Sequence, residues 1–277
     1  MLRKLFSVLI MLSVIAFLYL AAGNARDRLA ESLAAVPERF EGIPILMYHK
    51  VNPDPRTGGY GLRVTPRAFE KQMAYLSRSG YVSISLTDLA DHFEKNKPLP
   101  SKPVIITFDD GYLDNYTYAY PILKKYGMTA TIFVVAGTVG GINEFDYNGG
   151  RQPRNKMAGW EELQEMVKGG MTIGAHTLRH PHLAGLKPGE ARFEIVGGKK
   201  MLEAGLNRPV EVFCYPYGNY DREIVNIVGE SGFRAAVTTE QGLGKYGEGP
   251  YTLKRIRVRG DYSYGRFLEE LIRYHNS

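Results

Sequence analysis

Cysteine is nearly absent from this chain. Cys214 is the only one, so no intrachain disulfide can form. An oxidising compartment is therefore neither required nor excluded. No block of Lys and Arg is dense enough to leave a nucleic-acid footprint, which sets that class of partner aside. Internal repeats and low-complexity tracts are missing as well, and the one long apolar run is confined to the N-terminus. What remains has ordinary proportions. The 277 residues are 44% hydrophobic and 23% charged, enough for one sizeable core. A net charge of +6 has two readings: solubility, or attraction to an anionic surface such as a membrane or cell wall.

The N-terminus carries a targeting signal. Arg3 and Lys4 precede the apolar run 5–22, which is interrupted only by Ser7, Ser13 and Tyr19. Its 18 residues are long for the core of a cleavable signal and just sufficient for a membrane span. Gly23-Asn24-Ala25 nevertheless offers small residues at a cleavage position. Residues 1–23 are thus expected to be a signal anchor, or a signal peptide if cut there, with the positive end held in the cytoplasm. The remainder would be exported, membrane-anchored and facing outward, or secreted. Residues 24–41 read as a charged, Ala-rich linker or surface helix, and residues 42–277 as one domain.

From Ile43 onward short apolar runs alternate with amphipathic segments. Strands are expected at 43–48, 81–85, 103–108, 129–135, 171–175, 210–215, 234–238 and 252–258, where Val, Ile and aromatics concentrate. Between them, Thr65-Pro66 opens a helix carrying Phe69, Met73 and Leu76, Thr87 caps a helix over 88–95, and 160–168 ends at Gly169-Gly170. Asp221 starts another helix, and 264–274 makes the last. The alternation predicts an α/β fold with a parallel sheet, closed or nearly closed into a (β/α) barrel. Residues 136–159, rich in Gly, read as a long loop.

Two short segments carry the chemistry. Thr107-Phe108-Asp109-Asp110-Gly111 and His176-Thr177-Leu178-Arg179-His180 each follow an expected strand. Ligands of parallel α/β folds bind beyond the carboxyl ends of strands, so both segments fall on the functional rim. Two adjacent carboxylates and two imidazoles supply the ligands of one divalent cation, with a carboxylate left over as a general base. The two histidines chelate from one helical turn or from a tight loop, and Pro181 favours the loop. Thr177 is expected to brace that loop by local hydrogen bonds. A third segment, Phe213-Cys214-Tyr215-Pro216-Tyr217-Gly218, brings aromatics to the same rim. It has two readings: packing of the barrel mouth, or a sugar-stacking wall of Tyr215, Pro216 and Tyr217 with the Tyr217 N–H aimed at an oxyanion.

Together the three segments resemble the polysaccharide deacetylases, carbohydrate esterase family four, also called the NodB-homology domain. Tyr112, Asn115-Tyr116, Pro121-Ile122-Leu123 and Trp160 extend the likeness over roughly residues 42–274. The resemblance implies a distorted (β/α) barrel that removes acetyl groups from N-acetylated polysaccharides with a divalent metal. It also implies Asp110, His176 and His180 as metal ligands and Asp109 as catalytic base. Zinc suits one carboxylate and two imidazoles, while cobalt, nickel or iron fit the same donors.

Two departures matter. Many members of that family carry Arg where Cys214 stands, so Asp109 must be oriented by something else, and Cys214 reads as a small buried hydrophobe. Those members also carry a catalytic His in a C-terminal motif, whereas 253–258 has none. The segment Ile43-Pro44-Ile45-Leu46-Met47-Tyr48-His49 instead resembles the branch acting on poly-N-acetylglucosamine, in which the acid comes early. His49 is therefore expected to be the general acid. Two other outcomes stay open: a noncatalytic carbohydrate-binding barrel, or an esterase acting on O-acetyl groups such as those of xylan. Protein partners are not legible.

Overall fold

The computed structural model describes residues 42–245, 247 and 249–273. The expected signal segment 1–23 and the linker 24–41 lie outside the described residues. Ten strands occur among the described residues: β1 (Ile45–Tyr48), β2 (Lys50–Val51), β3 (Arg63–Val64), β4 (Val82–Ser83), β5 (Pro103–Phe108), β6 (Thr131–Val134), β7 (Thr172–Ala175), β8 (Val212–Cys214), β9 (Ala235–Gln241) and β10 (Leu253–Arg257). The α-helices are α1 (Pro66–Arg78), α2 (Leu86–Lys95), α3 (Tyr120–Lys125), α4 (Glu144–Tyr147), α5 (Trp160–Lys168), α6 (Pro188–Leu206), α7 (Arg222–Glu230) and α8 (Tyr264–Ile272).

Strand order β1-β10-β9-β8-β7-β6-β5, with β1 pairing back onto β5, closes a seven-stranded parallel barrel. β4 joins β5 outside this ring, and β2 pairs only with β3. The first strand closes the barrel, with Leu46 opposite both Ile256 and Ile106. Every residue of β1 and β5 is buried, as expected of strands covered on both faces. Ile45, Ile105, Phe133, Val212, Val237 and Leu253 meet in the core.

Local rules account for most helix ends. Thr65 accepts from the Ala68 N–H at 3.2 Å with Pro66 in the first turn, and Asp221 accepts from the Ile224 N–H at 2.9 Å. Ser85, and not the expected Thr87, caps α2: its Oγ accepts from Asp88 N, and Asp88 Oδ2 accepts from Ser85 N, each at 3.0 Å. Ser85 prevails because that reciprocal pair needs an acid three residues on, and Asp88 supplies it. The expected loop 136–159 proves partly structured, with a short turn of helix at Ala136–Thr138, helix α4, and bridges that pair Tyr112 with Met157 and Ile142 with Lys156.

Residues 262–273 belong to a separate unit. There Ser263 Oγ caps α8 by accepting from Arg266 N at 3.1 Å. No helix among the described residues is long and apolar enough to cross a membrane.

Candidate active site

Asp109 and Asp110 leave the end of β5, His176 the end of β7, Tyr215–Gly218 the end of β8, and His49 the end of β1. The barrel thus gathers on one rim four segments that are far apart in sequence. Four of the six non-glycine residues with positive φ among the described residues lie here: Asp110 (76°), Thr177 (66°), His180 (64°) and Tyr217 (58°). Each costs on the order of 1 kcal/mol, and the surrounding contacts hold it.

Asp110, His176 and His180 converge. Asp110 Oδ1 lies 3.6 Å from His176 Nε2 and 3.5 Å from His180 Nε2, and the two Nε2 atoms are 3.1 Å apart. Donors around a tetrahedral ion with bonds near 2.1 Å lie about 3.4 Å from one another, so the triangle fits a divalent metal. The His176 Nδ1 is 2.7 Å from the Cys214 carbonyl and must donate to it, which turns Nε2 toward the triangle. Burial lowers the His176 pKa, but Cys214, Asp110 and Asp109 outweigh it and hold it well above the ordinary value, so a metal bound at Nε2 would displace a proton. Burial and the neighbouring His176 push His180 down to about 3, so its imidazole is neutral. Burial alone would raise the Asp110 carboxyl, but the hydrogen bond from His176 and the surrounding imidazoles outweigh it and keep it ionised. Asp109, His176 and Cys214 also lie close enough to share an ion. There, however, Asp109 and the sulfur are already engaged by Arg255.

The histidines sit on a loop, which other elements clamp. Thr177 Oγ1 accepts from His180 N at 2.9 Å. The Thr177 and Leu178 carbonyls accept from Ala136 and Gly137 N–H at 3.1 and 2.8 Å. From α6, the buried Glu194 takes the Arg179 N–H at 2.9 Å and its guanidinium at 2.6 Å, while the Glu194 carbonyl accepts from Leu178 N at 3.0 Å. Trp160 packs on α6 itself, where a Cβ at Gly205 would come within 2.2 Å of its ring.

Asp109 is oriented by Arg255, a residue that sequence reasoning passed over. Arg255 is fully buried inside the barrel, and all five of its N–H donors are used. Nη1 and Nη2 grip the two Asp109 oxygens at 2.7 and 2.6 Å. The others reach Thr107 Oγ1 at 3.0 Å, the Thr238 carbonyl at 2.7 Å and Cys214 Sγ at 3.3 Å. Burial would raise the Asp109 carboxyl, yet the charge and hydrogen bonds of Arg255 hold it below the usual carboxylate range. The missing Arg at position 214 is thus replaced from β10, and the buried Cys214 accepts a hydrogen bond from the replacement. Residues 253–258 hold three cations, Lys254, Arg255 and Arg257, and nothing in the sequence alone singled out Arg255 as the inward one.

His49 Nε2 lies 3.9 Å from Asp109 Oδ2, and the His49 carbonyl accepts from the buried Asn115 at 2.8 Å. Burial lowers the His49 pKa against the pull of Asp109 and Asp110. The expected aromatic wall needs correction. Tyr215 and Pro216 are buried, Tyr215 against Phe213 and Tyr220, because this segment turns inward to cover the core. Only the Tyr217 ring, 36% exposed, faces outward.

A sequence profile of the polysaccharide deacetylases matches residues 96–236. YxkH of Bacillus subtilis (strain 168), named for the same family, is 34% identical over 84% of this chain and 78% of its own length. The poly-beta-1,6-N-acetyl-D-glucosamine N-deacetylase of Escherichia coli (strain K12) is 25% identical over 87% of this chain, which spans only 40% of that protein. Among solved structures, the Streptococcus pyogenes deacetylase PplD in complex with acetate superposes with a TM-score of 0.72 at 29% identity, covering 84% of this chain and 99% of that one. The chain belongs to the polysaccharide deacetylase family, and its barrel is the family's fold.

Proposed function

We propose that this enzyme removes N-acetyl groups from an N-acetylglucosamine polymer, with a divalent metal held by Asp110, His176 and His180. The observation that carries this reading is the triangle of Nε2, Nε2 and Oδ1 atoms with edges of 3.1 to 3.6 Å, beside a carboxylate that is no part of it. A metal bound there supplies Lewis acidity toward water and the acetyl carbonyl, and zinc is the ion best matched to the donors. Asp109, kept ionised by Arg255, has lone pairs left to take the proton of the attacking water. His49, 3.9 Å from Asp109, protonates the departing amine. The Tyr217 N–H donates to the developing oxyanion.

The name of the E. coli relative supports poly-N-acetylglucosamine as the polymer, and peptidoglycan or chitin-like chains share the same sugar. The apolar run 5–22 supports export, with the barrel acting outside the cytoplasm. The test is acetate release from N-acetylglucosamine oligomers and from acetylated xylan, before and after chelation and with zinc, cobalt, nickel or iron restored. We expect release from the oligomers, lost with chelator and recovered with metal. Release untouched by chelation would remove the metal, and preference for xylan would make the enzyme an O-acetyl esterase.

A further inference from the structure

Tyr217 is held by more groups than an aromatic wall requires. Its ring lies flat on His182, with centroids 4.0 Å apart and planes at 15°, and meets the edge of His180 at 4.5 Å. Its hydroxyl accepts from Arg151 Nη2 at 2.9 Å. The same nitrogen donates to the Phe145 carbonyl, and Arg151 Nε donates to the buried Asp146 at 3.0 Å. The Phe145 ring in turn lies 4.5 Å from His180. One guanidinium therefore joins the two residues whose rings flank one imidazole of the triangle. With one face given to His182 and its hydroxyl given to Arg151, Tyr217 has little left to offer a sugar.

We infer that Arg151 is a positioning residue of the deacetylation site: it clamps residues 144–152 over His180 and fixes Tyr217. The inference rests on the reading of the site given above, because the Tyr217 N–H matters only if an oxyanion forms. Tyr217 stands at φ 58°, ψ 6°, a conformation that costs a tyrosine on the order of 1 kcal/mol. Thr239 Oγ1 donates to the Tyr217 carbonyl at 3.2 Å, and Gly218 N to the Tyr215 carbonyl at 2.9 Å, so the turn itself is pinned. Arg151 pins the ring. Without it only those two hydrogen bonds oppose relaxation toward the right-handed region, which would rotate the N–H away from its target. A planar fork is needed because Asp146, the Phe145 carbonyl and the Tyr217 hydroxyl are reached together, whereas a lysine offers a single point of charge. The Arg151 side chain is 53% exposed, so its ion pair with Asp146 alone adds little stability. Its effect is on geometry.

The test compares the full chain with Arg151→Gln, Tyr217→Phe, the double variant and Arg151→Lys. Two readouts are taken: amide hydrogen exchange over residues 144–152 in metal-free protein, and kcat and KM for acetate release from oligomers. Both single variants should raise exchange over 144–152, Arg151→Gln by about tenfold and Tyr217→Phe by less, and the double variant no further than Arg151→Gln, because Tyr217→Phe removes a contact that Arg151→Gln already removes. In each, kcat should fall about tenfold with KM within about twofold, as for an interaction felt in the transition state, and Arg151→Lys should lie between. Unchanged exchange in either single variant overturns the clamp, whether or not the protein deacetylates anything. Additive losses in the double variant overturn it too. If wild-type protein releases no acetate while the exchange result holds, the clamp stands and the proposed reaction falls.

Discussion

Replacing Arg255 by Met removes the guanidinium that both oxygens of Asp109 face and leaves a buried carboxylate without its counter-charge. Breaking such a pair from one side costs about 3–5 kcal/mol, which denaturant unfolding would show. The sign of the pH effect follows from Asp109. Its folded pKa lies below the unfolded value, so the pair stabilises the protein above that value and the contribution is lost as pH falls through the folded one. In Arg255→Met the Asp109 pKa rises, so the acid limb of the kcat/KM profile should move to higher pH. An acid limb left in place would mean that another group sets it. Adding Asp109→Asn to Arg255→Met should restore part of the stability and none of the turnover. Asp109, Asp110, His176 and His180 were legible because each follows an apolar strand and their spacing is local. Arg255 was not, because its partner lies 146 residues away and only the register of β10 turns it inward.

At the level of elements, the His loop owes its shape to α6. A Cβ on Gly198 would come within 2.6 Å of the Thr177 carbonyl carbon and 2.7 Å of its oxygen, whereas on Gly197 it would meet only the Leu178 side chain at 3.5 Å. Gly198→Ala should therefore displace the loop, with a fall in metal affinity of about tenfold or more by competition titration and a loss of about 1–3 kcal/mol. Gly197→Ala should leave affinity unchanged and gain about 0.5–1 kcal/mol from helix propensity. Equal behaviour of the two would show that the approach of α6 does not set the loop. This helix escaped the sequence reading because Gly189, Gly197, Gly198 and Gly205 interrupt its apolar spacing. The glycines that hid it are the ones that let the His loop and Trp160 come close. By contrast α5, bounded by Gly159 and Gly169, was readable to the residue.

For the whole barrel, β1 has two duties. It fills the gap between β5 and β10, and it ends in His49. Seven or eight alternating strand–helix units predicted a closed or nearly closed barrel. Which strand closes it depended on the pairing of β1 with β10, more than 200 residues away, which no local pattern encodes. A chain starting at residue 52 exposes the pairing edges of β5 and β10, so it should melt without cooperativity or aggregate, while one starting at residue 42 should melt as one transition. Cooperative melting of the shorter chain would show that the ring closes without β1.

The guanidinium at the heart of the ring touches residues of β5, β8 and β9 as well as Asp109. Asp109 therefore cannot mutate to an apolar residue alone without stranding a cation in the interior. A descendant that abandoned chemistry but kept its barrel would have to change both positions, 109 and 255, and that double replacement would be the mark of retirement in its gene.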